Sequence, residues 1–506
     1  MSQELVLGLA PKRKDNARVE EISSLLTQVQ DLIRPFFEAA DNDADALAEG
    51  HGLQILGGGP RTVLIEHHAP AKLSSLLNLA TSSKEPGAKD LLTAVSDVLK
   101  YSVNTSSPGF LDKLYSSPSP PGLAADLIIS ALNTNVHVYG CSPALTLIEK
   151  HVGKELASLF GLEGAQAGGV TVPGGAAGNT TAMLVARNVR FPRIKEDGLA
   201  ALPKKLAIFT SDAAHYSIST AAQTLGLGSK CVRKVSSKNE AMNSEALEHA
   251  IQQSIADGAI PFLISATSGT TVRGAYDDLK AIGELASKYN AWFHIDACWG
   301  GGAAFSSKLR HKLAGSDLAD SIAFNPHKML GVPLTTSWLL GRDLRTFWAA
   351  NRLEAGYLFH HDSENAQVSA VAPEADISND KHDDTENPNW RTSPWVVGAP
   401  QVDNVYDLAQ FVPACGRRPD ALKMYLHWRY YGTEGIAKHV EASFAGARKV
   451  IELVKASSVL TVVGEDEPPC AQACFFYNGS TGKLGMQKKI TRSIVEKLLK
   501  IGRAHV

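Results

Sequence analysis

From Val19 to about Ala40, apolar residues recur every three or four positions: Ile22, Leu25, Leu26, Val29, Leu32, Ile33, Phe36 and Phe37. This spacing gathers them on one face and predicts an amphipathic helix. Residues 1–17 have no such period and are expected to be disordered, and the acidic DNDADALAEG that follows the helix is expected to be a linker. Helical patterns return between Leu73 and Tyr101, and a Pro/Ser-rich connection spans 104–122. From about 125 to 345 short apolar runs alternate with helical segments: AGGVTVPGG, KLAIFTSD, IPFLISATSGTT, AWFHIDA, SIAFNP and SWLLG. Each run is of strand length and ends in small or polar residues. The alternation predicts an α/β domain with a mostly parallel central sheet. Ligands of such sheets sit at the carboxyl ends of the strands.

Residues 360–414 are polar, acidic and nearly free of aromatics, which predicts a mobile insertion. Helix then returns after CGRRPDALKMYLHWRYYG, followed by strand-like VLTVVG and ACFFYN. The expected organisation is an N-terminal helical arm over 1–124 and a large α/β domain over 125–400, with the insertion at 360–405. A small α+β domain follows over 415–506.

Composition mainly excludes. Fifty basic against 52 acidic residues, a net charge of −2, offers no electrostatic basis for nucleic acid or an anionic membrane. No apolar run approaches the eighteen or so residues of a membrane span. The N-terminal charges follow the apolar patch instead of preceding it, the wrong order for a secretory signal. The six cysteines (141, 231, 298, 415, 470 and 474) are scattered without a CxxC pair, so reduced thiols in a cytoplasmic protein are expected. HExxH, paired-Cys and EF-hand patterns are missing, and no metal site is expected. Triplets of the Asn-x-Ser/Thr type at Asn104, Asn179 and Asn478 carry no weight without a secretory signal.

Four strand ends carry candidate chemistry. PGGAAGNTTAMLVAR opens a helix on a Gly-Gly turn, where close-approaching N–H groups suit a phosphate; without a Gly-Lys-Ser/Thr ending it is no Walker loop. His215 follows KLAIFT, Asp296 ends AWFHID, and Lys328 follows SIAFNPH. A buried carboxylate needs a cationic or N–H partner, and a buried lysine needs something that pairs with or consumes its charge. Taken singly, a solvated lysine, a structural histidine and an ordinary Gly-Gly turn are the default. One cofactor accounts for all four. Pyridoxal phosphate takes a lysine for its Schiff base, a carboxylate for its pyridine nitrogen, a phosphate cradle and a flat side chain against its ring. A dinucleotide-binding dehydrogenase is excluded, because no GxGxxG opens a helix.

At these residues the chain resembles the group II pyridoxal-phosphate decarboxylases, in their glutamate/cysteine-sulfinate branch. The matching segments include LNTNVHVYGCSPALTLIEK, PGGAAGNTTAMLVAR, HYSISTAA, PFLISATSGTTVRGAYDD, WFHIDACWGG, FNPHKMLGVPL, AGYLF and CGRRPDALK, and they run from about residue 105 to 475. The resemblance implies fold type I, as in aspartate aminotransferase, and a carboxy-lyase reaction, with L-glutamate to 4-aminobutyrate as the leading expectation. Cysteine sulfinate, aspartate or an aromatic amino acid are alternatives, as is a non-catalytic relative. It further implies Lys328 as the Schiff-base lysine, Asp296 at the pyridine nitrogen and His215 stacked on the ring. Gly175, Ala176, Asn325 and His327 would hold the phosphate, and Thr271 the cofactor's polar edge. Tyr357 would be the proton donor on a mobile loop that reaches across a homodimer interface.

The chain also departs from the family. Cys298 stands where a small alanine is usual beneath the ring, and is expected to be a tolerated small apolar residue. Lys113 and Tyr115 occupy the region where animal glutamate decarboxylases place a Gln and a Ser near the substrate. The family's further C-terminal segment, with an arginine that binds the α-carboxylate, has no match before the final IGRAHV. Those six residues look like a translated sequencing adapter, so a truncated gene model with an incomplete small domain is expected.

Overall fold

The computed structural model describes residues 17–48, 68–84, 86–111, 113–352 and 386–477. It divides into two compact units, one up to Ser117 and one over Pro118–Asn478. In the first, α1 (Ala17–Ala48) packs against α3 (Ala88–Tyr101), with the short α2 (Pro70–Leu76) between them in sequence. The Asn104 amide closes this unit by donating to Phe36 O at 2.7 Å. Helix α1 continues through residues 41–48, so most of the acidic stretch is helical and not a linker. Its Ala and Leu residues are good helix formers, and they carry the turn structure past the aspartates.

The second unit begins with α4 (Pro120–Leu132) and α5 (Pro143–Leu159), each with proline in its first turn, where the missing N–H costs nothing. The central sheet follows: β1 (Gly168–Thr171), β2 (Leu206–Ser211) and β3 (Val232–Val235). After the small hairpin β4 (Ser237–Lys238) and β5 (Ala241–Met242) come β6 (Ile260–Thr267), β7 (Trp292–Asp296), β8 (Ser321–Phe324) and β9 (Trp338–Gly341). The order across the sheet is β1-β9-β8-β7-β6-β2-β3. β9 pairs antiparallel with both neighbours and all other pairs are parallel, so β9 alone is reversed. All six runs expected as strands are present. β3 was not among them: Arg233 and Lys234 break its apolar run. These exposed charges suit an edge strand, which must discourage pairing with other chains.

Helices cover both faces. On one side α5, α9 (Ser244–Ala256), α10 (Leu279–Lys288) and α13 (Ala421–Ala456) bury Leu156, Leu247, Ile282 and Val440 against Phe293 and Ile295. On the other, α6 (Gly175–Arg190), α8 (Ser217–Thr224) and α11 (Leu344–Asn351) bury Val185, Ala221 and Phe347 against Phe262 and Trp292. The short α7 (Ile194–Asp197) and α12 (Pro394–Val397) lie in connections.

Residues 386–412 also join this second core, with Trp390, Val396, Val402, Val405, Leu408 and Phe411 buried. The expectation of a mobile stretch over 360–414 therefore does not hold from Glu386 onward, where sparse apolar residues each find a slot; 360–385 lie outside the described residues. The long α13 kinks at Gly432, which adopts φ 65°. It leads to the antiparallel pair β10 (Leu460–Val462) and β11 (Phe475–Tyr477).

Candidate active site

The site forms where β1, β2, β7 and β8 end, at the carboxyl edge of the sheet. Strand alternation on β7 sends Phe293 and Ile295 to one core and Trp292, His294 and Asp296 to the face covered by α6. Asp296 is 7% exposed. It accepts from Cys298 N–H at 3.1 Å and from the Asn179 amide, on the first turns of α6, at 2.9 Å. Burial pushes its pKa up, but the bonds from Cys298 and Asn179 and the charge of Lys328 outweigh this and hold it below the ordinary carboxylate value.

β1 leads into α6 through Gly174, whose φ of 101° only glycine adopts readily. Gly175 needs its hydrogen for another reason: a Cβ there would collide with Cys298 Sγ and Asn325 Nδ2. No side chain caps the helix, so its first N–H groups are left for another acceptor. Asn325, at the end of β8, is buried with its Oδ1 unpartnered. Close-packed glycine, uncapped N–H groups and the Asn325 Nδ2 beside them make a built polar cradle. A phosphorylated ring whose nitrogen meets Asp296 fits these residues.

His215, after β2, is half-buried; its Nδ1 lies 2.9 Å from Ser217 Oγ and accepts Ser217 N–H at 3.3 Å. Burial lowers its pKa, with the Asp296 and Lys328 charges acting in opposite directions. His327 is buried, contacts Thr336 O through Nδ1 at 2.8 Å, and has a pKa lowered to about 4 by burial. Lys328 is half-buried one residue beyond, and its charge acts on Asp296, His215 and Cys298 alike. Gly175, His215, Asp296, Asn325 and Lys328 therefore converge, and Ala176 occupies the first turn of α6.

Thr271 is exposed, and its carbonyl accepts from Gln472 Nε2 at 2.8 Å. Its buried neighbour Thr270 instead donates to Glu240 at 2.5 Å. Tyr357 lies outside the described residues. Burial pushes the Cys298 thiol well up, so it stays a neutral small group beside Asp296. The sequence-based expectation missed Asn179, which donates to Asp296, and His294, Ser217 and Ser321, which connect to it through Asn179. One signal was present: His294 and Asp296 stand two apart on a strand, and so share a face.

The model of the pyridoxal-dependent decarboxylase conserved domain matches residues 70–385 and 393–478, most of the chain. This protein belongs to that family. The decarboxylase is 47% identical to a glutamate decarboxylase-like protein of Gibberella zeae over 425 residues, 84% of this chain and 80% of the relative. It is 38% identical to an L-aspartate decarboxylase of Metarhizium robertsii over 490 residues, 96% of this chain and 90% of that one. The apo crystal structure of mouse CSAD matches with a TM-score of 0.77 at 31% identity, covering 96% of this chain and 90% of the mouse chain. The decarboxylase is thus a fold type I, pyridoxal-phosphate-dependent amino acid decarboxylase. Among the described residues, no helix is long and apolar enough to cross a membrane.

Proposed function

We propose that the decarboxylase removes the α-carboxylate of L-glutamate, giving 4-aminobutyrate and carbon dioxide. The observation that carries this is the 47% identity to the glutamate decarboxylase-like protein. The L-aspartate decarboxylase relative supports a second reading, L-aspartate, and both share an acidic side chain.

In this reading Lys328 would hold the cofactor covalently, Asp296 would meet its pyridine nitrogen as an anion, and His215 would lie against the ring. The N–H groups at Gly175 and Ala176, with Asn325 and His327, hold the phosphate, and Thr271 serves the polar edge. Pyridoxal phosphate supplies the electron sink for the pair left when carbon dioxide departs. The chain's part is electrostatic and geometric. Asp296, held ionised, keeps a proton on the pyridine nitrogen. The buried walls of Ala297, Cys298 and Ala323 limit water around that charge and strengthen its effect. Tyr357 hands a proton to the substrate Cα.

The active form is a homodimer in this reading, supported by an exposed apolar face on α4: Leu123, Leu127, Ile128 and Leu132 are 39–54% exposed. Six free cysteines support a reducing, cytoplasmic setting.

The test is the visible spectrum of protein purified with pyridoxal phosphate, with carbon dioxide release from a panel of amino acids. The proposal expects a cofactor band that Lys328→Ala abolishes, and the highest kcat/KM for L-glutamate. A higher value for L-aspartate would replace the substrate assignment; a band insensitive to Lys328→Ala would overturn the site.

A further inference from the structure

We propose that Asn179 is a positioning residue of this site. Its carboxamide, turned by His294, holds Asp296 as an anion toward the pyridine nitrogen and, through Ser217, holds His215 in the tautomer that carries its proton on Nε2. The proposal rests on the assignment of Asp296 and His215 made above.

The proton arrangement follows from donor and acceptor logic. An ionised carboxylate only accepts, so the group 2.9 Å from Asp296 Oδ2 is the Asn179 NH2. Asn179 Oδ1 therefore faces His294 Nε2, 2.9 Å away, and this nitrogen carries hydrogen. His294 Nδ1 is then bare and accepts from the Ser321 hydroxyl at 2.9 Å, while Ser321 Oγ accepts the Trp292 indole N–H at 2.8 Å. The second Asn179 N–H donates to Ser217 Oγ at 2.8 Å. The Ser217 proton then points to His215 Nδ1 at 2.9 Å. A backbone N–H only donates, so Ser217 N–H on the same Nδ1 reaches that conclusion independently. His215 is left with its proton on Nε2.

The donors run from Trp292 through Ser321 and His294 to Asn179, and end at Asp296 and, through Ser217, at His215. Turning the Asn179 amide over would set its oxygen against the carboxylate and its NH2 against an N–H of His294. A neutral His294 is part of the arrangement, and complete burial lowers its pKa to about 4. Asp296 is therefore hydrogen-bonded by neutral donors, with the nearby Lys328 charge adding to their effect. Among the described residues it has no ion-pair partner, which leaves its charge for the cofactor nitrogen.

The direct test is nitrogen NMR of the holoenzyme with 15N-labelled histidine, assigned by His215→Asn and His294→Asn. Both rings are expected neutral, with the proton on Nε2; a proton on Nδ1 of either ring overturns the proposal, with no perturbing variant involved. The second test compares Asn179→Asp, which keeps the shape but removes both donors, with Asn179→Ala, His294→Phe and their double variant, following cofactor Kd, kcat and KM. Each single variant is expected to weaken cofactor binding about tenfold or more, the range for a buried group left unpaired. Each should lower kcat with little change in KM, and the double variant should be no worse than the worse single one. Asp296→Asn separates the two levels. If it weakens cofactor binding while Asn179→Ala does not, Asn179 has no positioning role. If Asp296→Asn leaves binding and kcat unchanged, the assignment of Asp296 falls, and this proposal with it.

Discussion

Of the carboxylates buried in this fold, Glu149 and Asp296 lie in opposite electrostatic settings. Glu149, on α5, is fully buried and paired with Arg417, and the same oxygen accepts from Thr171 N–H at 2.8 Å and its hydroxyl at 3.0 Å. Arg417 in turn donates to Val136 O at 2.8 Å and Thr171 Oγ1 at 3.0 Å. Asp296 is held by an amide and a backbone N–H, without a cation at ion-pair distance among the described residues. The first cluster is electrically closed: its charge is neutralised inside the chain and ties α5, β1 and the CGRRPDALK segment together. The second is open, since its charge is hydrogen-bonded by neutral donors and has no cation at ion-pair distance among the described residues, the Lys328 charge acting on it from farther away. A closed pair serves stability; an open anion at the end of a sheet can serve a ligand.

The largest expected effect breaks the closed cluster. Arg417→Ala strands Glu149 in the core and should destabilise the fold by about 3–5 kcal/mol. Denaturant unfolding measures it, and a loss below about 1 kcal/mol would mean that water reaches the carboxylate. Asp296→Ala should do the reverse, lowering kcat on the order of 100-fold or more with little change in unfolding midpoint. A comparable loss of stability would make Asp296 a structural group like Glu149.

A smaller effect is expected from pH. Burial lowers the pKa values of His294 and His427 to about 4. The unfolded chain binds these protons near pH 6.5, so between about 6.5 and 4 it takes up protons that the fold refuses. Stability is full above this window and is lost as pH falls through it. Tm should drop between pH 7 and pH 5, and the drop should shrink in His427→Asn; a pH-independent Tm would show both rings accessible to protons.

The smallest effect involves neither carboxylate. Asn243 caps α9 by accepting Ala246 N–H at 2.7 Å, and Asn243→Ala should cost about 1 kcal/mol without altering kcat. An activity change there would show that the site senses distant helix ends.

The six strand runs, the alternation with helices and the placement of His215, Asp296 and Lys328 at strand ends were legible, because a two-residue period and abrupt polar endings survive in one dimension. β3 was not, since an edge strand carries charges that mask its period. Residues 386–412 were not, because their burial depends on slots supplied by α6 and α11, which no local composition reports. Asn179 stood out in the sequence only as an Asn-x-Ser/Thr triplet without weight, and its partner Asp296 lies 117 positions away.

The sequence by itself determined the family, the cofactor and the order of elements, because these rest on local periods and on residue types that pyridoxal chemistry requires. Tertiary structure alone decided which carboxylate is closed by a cation and which is left open. It also decided which way the Asn179 amide faces and where the histidine protons sit. Those properties belong to donors and acceptors brought within 3 Å from distant strands and helices, and a linear chain does not specify that proximity until the sheet has assembled.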